Sequence, residues 1–172
     1  MNFHRFDTDL LPMELYRVHY PGSRTTFSLK EGLVAADTTK IYNDEVSLWR
    51  AIVKQFTWNS REASPFISLF SDQEHAENWA MKEPWRGTVR DAQEDGWTLF
   101  TIDTQLLGDA WLCKVSQLVS TLKLQIPDRA AQHIDGSFLC LHKIPALAIT
   151  QERDSAQVKE GRLIGTILSN KK

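Results

Sequence analysis

The stretch that most narrows what this chain folds into runs from Ser64 to Ala80, "SPFISLFSDQEHAENWA". Pro65 opens an apolar run, Phe66-Ile67-Ser68-Leu69-Phe70, that reads as a buried strand. Ser71-Asp72-Gln73-Glu74 follows as a capping box: the Ser71 hydroxyl accepts from the third helical amide and Glu74 reaches back. Ala76, Trp79 and Ala80 then form the inner face of a helix, and Pro84 stops it. A strand that passes directly into a helix is therefore expected in mid-chain. One residue stands out: Ser68 puts a hydroxyl inside an apolar strand, where it must find a partner.

The flanking segments decide what that unit packs against. Leu15-Tyr16-Arg17-Val18-His19 alternates apolar and polar residues and ends at Pro21-Gly22, a short strand and turn. Residues 1–12 read as an irregular lead-in, and Phe27 to Ala36 as a loop or edge segment around Gly32. Asp44 caps a helix whose inner face is Val46, Leu48, Trp49, Ile52, Val53 and Phe56. Trp97 to Asp103 alternates after Asp95-Gly96 and predicts a strand. Ala110 to Val115 predicts another, with Ser116 capping a short helix through Leu118, Val119 and Leu122. Phe138 to Leu141 is a strand that Ile144-Pro145 breaks, and Ala146 to Thr150 resumes extended structure. Clustered strands with segregated helices give an α+β fold.

At 172 residues the chain fits one domain. Its core is expected between about 13 and 150, with 151–172 as a charged C-terminal extension around one apolar patch, Leu163 to Leu168. Asp7, Asp9 and Glu14 interrupt any signal-peptide layout, and no apolar stretch approaches a membrane span. Cys113 and Cys140 make no disulfide framework, so a reducing, cytoplasmic setting is expected. The net charge of -2 gives no generic attraction to nucleic acid. A contact with RNA needs a local basic patch; Arg153, Lys159, Arg162, Lys171 and Lys172 form one candidate, or simply a solvated face. Phosphate-cradling glycine loops, HExxH and GxSxG are absent. His4, His19, His75, His133 and His142 lack ligand spacing, so neither a metal nor a bound cofactor is expected.

Three stretches remain: Leu15-Tyr16-Arg17, Ser64 to Ala80, and Gly136 to Pro145. Their order resembles the ADP-ribosyltransferase fold of the arginine–serine–glutamate class, over about residues 15 to 150. The resemblance implies two small sheets meeting at a cleft with flanking helices. It also implies that Arg17 grips a phosphate and Ser68 braces a nicotinamide cleft, with NAD as cofactor. An arginine suits the role because its planar fork donates two parallel bonds to an anion. From the residues alone, the favoured reading is that Ser68 bonds neighbouring backbone and Arg17 pairs with Glu14 or Asp37; the order of the three stretches brings the cleft reading level with it. The family's catalytic glutamate position holds Ser137, with Asp135 two places earlier, and serine cannot stabilise a cationic sugar transition state as a carboxylate does.

Ser64–Ala80 together with "FLCLHKIPALAI" more closely resembles the fungal arginine-containing cyclodipeptide synthases. This resemblance implies a transferase that takes aminoacyl groups from tRNA, arginyl-tRNA included, and closes an arginine-containing diketopiperazine for secondary metabolism. The acidic signature associated with that family fits best at 133–137, where the chain reads His133-Ile134-Asp135-Gly136-Ser137. On this reading the catalytic candidates are Arg17, Ser68, Asp135 and Ser137, and the substrate-binding candidates are His19, Glu74, Asp103 and His133. Asp135, Asp103 or Glu74 would meet the arginyl guanidinium. Ser68 or Ser137 would carry an acyl group, with His133 or His142 as base. The alternatives are an NAD-dependent ADP-ribosyltransferase and a catalytically silent binding protein of the same fold.

Overall fold

The computed structural model describes residues 11–56, 62–85 and 96–169, without side chains at 129 and 130. His4, Asp95, Lys171 and Lys172, and most of the N-terminal lead-in, lie outside the described residues. Six strands form the main sheet: β1 (Glu14–His19), β4 (Phe66–Phe70), β5 (Thr98–Asp103), β6 (Leu112–Lys114), β7 (Ser137–Leu141) and β9 (Ile149–Asp154). Their spatial order is β6-β7-β4-β1-β5-β9, and every pairing is antiparallel. A second sheet holds β2 (Thr26–Ser28), β3 (Gly32–Val34) and β8 (Lys143–Ile144). The helices are α1 (Glu45–Gln55), α2 (Gln73–Met81), α3 (Val115–Leu122), α4 (Asp128–Ala131) and α5 (Ser155–Ser169). The fold is α+β and ADP-ribosyltransferase-like: two sheets meeting at a cleft, with helices outside.

Alternation along the strands sorts the core into layers. Leu15 lies opposite Ile102, Arg17 opposite Phe100, and Leu69 opposite Phe138. The apolar members of these pairs meet Leu33 and Ile144 of the small sheet in one buried cluster. The other face of the main sheet carries the helices. Phe66, Cys113 and Leu139 pack on Leu48 and Ile52 of α1, while Tyr16, Val18 and Leu99 pack on Ala76 and Ala80 of α2 and Val158 of α5.

β1 runs beside β5 for six paired residues but touches β4 at one pair, Tyr16 and Phe70. Beyond that pair the two strands are unpaired, and the Arg17 side chain spans them by donating to the Ser68 carbonyl at 3.0 Å.

Several local expectations shift. Asp72, not Ser71, caps α2: its carboxylate accepts from the His75 amide at 2.6 Å, while the Ser71 amide still donates to Gly136 at 2.8 Å, extending the sheet's bonding. Asp44 caps α1 as the sequence suggests, accepting from the Ser47 amide at 2.8 Å. Ser116 lies inside α3, whose N-cap Lys114 makes no side-chain cap bond.

The segment around Gly32 is the β2–β3 hairpin rather than a loop. Gly32 takes φ +82°, and a Cβ there would stand 2.2 Å from the Ile144 carbonyl, so the close approach of β8 demands glycine. The charged tail is not a detached extension. Residues 149–154 complete the main sheet as β9, and α5 anchors beside them through buried Val158.

Candidate functional site

Arg17 and Ser68 stand on neighbouring strands at the split, but their side chains leave the sheet on opposite faces. Arg17 points toward the small sheet, opposite Phe100, and Ser68 toward the helices, opposite Leu139. The Arg17 head group is buried although part of the residue reaches solvent. Its Nη1 donates to the Ser68 carbonyl at 3.0 Å, and Nη2 donates to the hydroxyls of Ser23 at 3.0 Å and Thr25 at 3.2 Å. Both terminal nitrogens thus bridge the gap between β1, β4 and the β1–β2 turn, while the buried Nε has no hydrogen-bond partner among the described residues. Pairing with Glu14 does not occur; that carboxylate accepts from the Tyr16 hydroxyl at 2.7 Å.

His19, two residues along β1, is held neutral over most of the pH range. Desolvation by burial, then the Arg17 charge, lower its pKa to about 4. Ser68 accepts from Gln55 Nε2 at the end of α1 at 2.8 Å, and Gln55 in turn accepts from Ser64. No histidine bonds Ser68 among the described residues, so Gln55 orients this hydroxyl without activating it.

At the other end of β4, residues far apart in sequence converge. Glu74 and His133 line one pocket of about 320 Å³, together with Asp72, His75, Asn78, Trp79, Lys82 and Gln132. A 2.8 Å hydrogen bond joins His75 Nε2 and His133 Nδ1, one nitrogen donating and the other accepting. Partial burial, then His75, then Lys82 lower the His133 pKa. The lowered pKa favours the neutral form of the His133 ring.

The turn behind His133 is held by hydrogen bonds at Ser137. Ser137 is buried and donates its hydroxyl to the His133 carbonyl, and its amide donates to Ile134 at 3.1 Å. Gly136 packs against the turn that leads into α2, where a Cβ would meet the Ser71 Oγ at 3.3 Å. Asp135 is exposed at the tip of this turn.

The sequence-derived candidates therefore divide into groups. Glu74, His133, Asp135 and Ser137 belong to one end of β4. Arg17 and His19 face the space between the sheets. Ser68 is the half-buried midpoint of the strand, on the helix face. Asp103 belongs to none of these: it ends β5, and its carboxylate accepts from the Gln105 amide at 2.9 Å to cap a 3₁₀ turn. His142 donates from Nε2 to the Lys40 carbonyl at 2.8 Å, so it ties down a loop.

His75 was not a candidate from sequence, because its partner lies 58 positions away and no local spacing marks the pair. The proposed basic tail patch is also spent in part. Arg153 and Arg162 bind the buried Glu77 carboxylate at 3.0 and 3.4 Å, and Lys171 and Lys172 lie outside the described residues. Among the described residues no group of three His, Cys, Asp or Glu side chains is placed to hold a metal ion. Both cysteines are free and buried, and burial raises their pKa values.

This architecture is shared with a solved structure, EcPltA, at a TM-score of 0.53 and 12% identity, covering 83% of this chain and 75% of that one. The likeness extends to the fold alone. The chain belongs to the family described as a domain of unknown function, DUF7587, which matches residues 10–158. No curated protein matches. No helix among the described residues is long and apolar enough to cross a membrane.

Proposed function

We propose that this protein is an aminoacyl-tRNA-dependent transferase that forms an arginine-containing cyclic dipeptide. One observation carries the reading: the His75–His133 pair and Glu74 share a polar pocket beside the hydrogen-bonded 133–137 turn. The ester of aminoacyl-tRNA is already activated, so the reaction needs positioning and a base rather than ATP.

The amine of one bound aminoacyl group attacks the ester carbonyl carbon of the other. The acyl C–O bond breaks and the tRNA ribose oxygen leaves. The amine proton passes to the neutral nitrogen of the histidine pair and then to that oxygen. The remaining amine attacks the remaining ester in the same way and closes the six-membered ring. Glu74 supplies the carboxylate for the arginyl guanidinium. Glu74 and Asp72 outnumber the one cation of the pocket, Lys82. Ser68 and Ser137 have less support as acyl carriers, since the first bonds Gln55 and the second is buried against the His133 carbonyl.

NAD-dependent transfer has weaker support. The position at the start of β7 is a buried, neutral serine, and both terminal nitrogens of Arg17 already serve the protein. Incubating the purified protein with arginyl-tRNA and a mixture of other aminoacyl-tRNAs, then analysing the products by mass spectrometry, tests the reading. A diketopiperazine containing arginine is expected, and calorimetry with millimolar NAD is expected to show no binding. NAD binding without diketopiperazine formation would favour the transferase alternative.

A further inference from the structure

A second pocket, of about 180 Å³, lies at the amino end of β4, opposite the histidine pair. Its lining brings together four cations: Arg24 from the β1–β2 turn, Lys40 from the loop before α1, and Arg50 and Lys54 one turn apart on α1. Glu62 is the acidic residue among them. A chain with a net charge of -2 has no general excess of cations, so this convergence is local.

The pocket is also braced. His142 donates to the Lys40 carbonyl, and Asp37 accepts from the Thr39 amide at 2.9 Å, which fixes the loop carrying Lys40. Arg24 Nη1 donates to the Glu62 carbonyl at 2.5 Å. Tyr42, part-exposed in the same lining, lies nearly parallel to Phe66, with 7° between the rings and 6.0 Å between centroids. Two of the cations have carboxylate partners, Lys54 with Glu62 at 2.6 Å and Lys40 with Asp37 at 3.6 Å. Exposed pairs of this kind contribute little, and a phosphate replaces a carboxylate readily.

We infer that this pocket binds the phosphodiester backbone of a single-stranded RNA end, with Arg24, Arg50 and Lys54 on the phosphates and Tyr42 as a stacking surface for a base. The volume suits a phosphate with its sugar rather than a folded partner. From Pro65 to Ser71 the strand spans roughly 20 Å, a distance that a few unpaired nucleotides cover. An acceptor end held here would deliver its terminal ester toward the histidine pair. That last step rests on the proposed reaction; the RNA site itself does not.

The test is fluorescence anisotropy with a short RNA hairpin carrying a single-stranded 3′ tail. Wild type, the double variant Arg24→Glu/Arg50→Glu, and Lys30→Glu as a reversal at an exposed lysine outside the pocket lining are compared across salt concentrations, with melting curves to confirm folding. The double variant is expected to bind at least tenfold more weakly. Its slope of log affinity against log salt should be shallower by about 1.4, the change for two lost single-strand contacts. Lys30→Glu should retain most of the affinity. Competition separates sources: excess tailed RNA should displace the probe, whereas millimolar inorganic phosphate or free nucleotide should do so only weakly. Equal loss in both variants, or an unchanged slope in a folded double variant, would overturn the inference. RNA binding that depends on Arg24 and Arg50 without any diketopiperazine would leave this site standing and remove the reaction. Diketopiperazine formation with unchanged RNA affinity in the double variant would do the reverse.

Discussion

The two sides of the β1–β4 split spend their polar groups differently. On the side facing the small sheet, Arg17 is a buried cation whose terminal nitrogens are consumed by the Ser68 carbonyl, Ser23 and Thr25. At the carboxyl end of β4, His75 and His133 bond one another beside an open, polar pocket. The first arrangement is closed and holds strands together where the ladder fails. The second keeps groups whose protons can move. Arg17 thus ties strands together here, and the proposed reaction places the chemistry at the turn that carries His133.

The largest effect should follow from forcing a charge into the closed part of the molecule. Ser137→Glu would restore an acidic side chain at the start of β7, but Ser137 is buried and bonded to the His133 carbonyl. An unpaired carboxylate there costs several kcal/mol, so the variant is expected to melt far below wild type and to gain no NAD hydrolysis. A well-folded Ser137→Glu protein that hydrolyses NAD would break the contrast. Arg17→Ala should cost about 3 kcal/mol in urea unfolding, because it strands buried Thr25 and two part-buried acceptors, Ser23 and the Ser68 carbonyl. Arg17→Lys should recover little of this, since an ammonium cannot span the fork.

Smaller losses test the architectural role of the tail. Glu77→Ala leaves Arg153 and Arg162 without their shared carboxylate and should cost about 2 kcal/mol, the partial exposure of both arginines softening the loss. Amide exchange should accelerate first in α5. The smallest effect is on pH dependence. His19 has a folded pKa of about 4 against an ordinary 6.5, so the unfolded chain binds the proton more readily. Its contribution is therefore fully present above pH 6.5 and is lost as pH falls toward 4, on the order of 1 kcal/mol after solvent screening. Replacement by Gln should flatten the stability curve across that window. An unchanged curve would place His19 in solvent rather than beside Arg17.

How far the sequence discloses these features depends on range. Asp44 and the strand from Phe66 to Phe70 are local signals and are read directly. The α2 cap is displaced by one residue, because Ser71 still bonds Gly136 across the sheet and only Asp72 is free to cap. The β2–β3 hairpin looks like a loop because its strands have three residues each and the requirement at Gly32 comes from β8, more than a hundred positions later. The tail reads as solvated because its charges are visible and their buried partner, Glu77, is not. The candidate site shows the same limit. Glu74 and His133 were separately apparent, whereas His75 acquires meaning only once the fold sets it against His133.

The proposed conversion of charged tRNAs at the histidine pair is tested most directly by a single-turnover reaction of the purified protein with arginyl-tRNA and a second aminoacyl-tRNA. Cyclic dipeptide is followed by mass spectrometry in wild type, His75→Ala and His133→Ala. The account predicts arginine-containing diketopiperazine from wild type and a loss of about a hundredfold or more in each variant, with melting temperatures within a few degrees of wild type. Because His133 is depressed below the ordinary imidazole value, wild-type output should persist to pH values below 6.5 before it falls. A folded wild type that leaves both tRNA esters to ordinary hydrolysis, or a His133→Ala variant as productive as wild type, would contradict it.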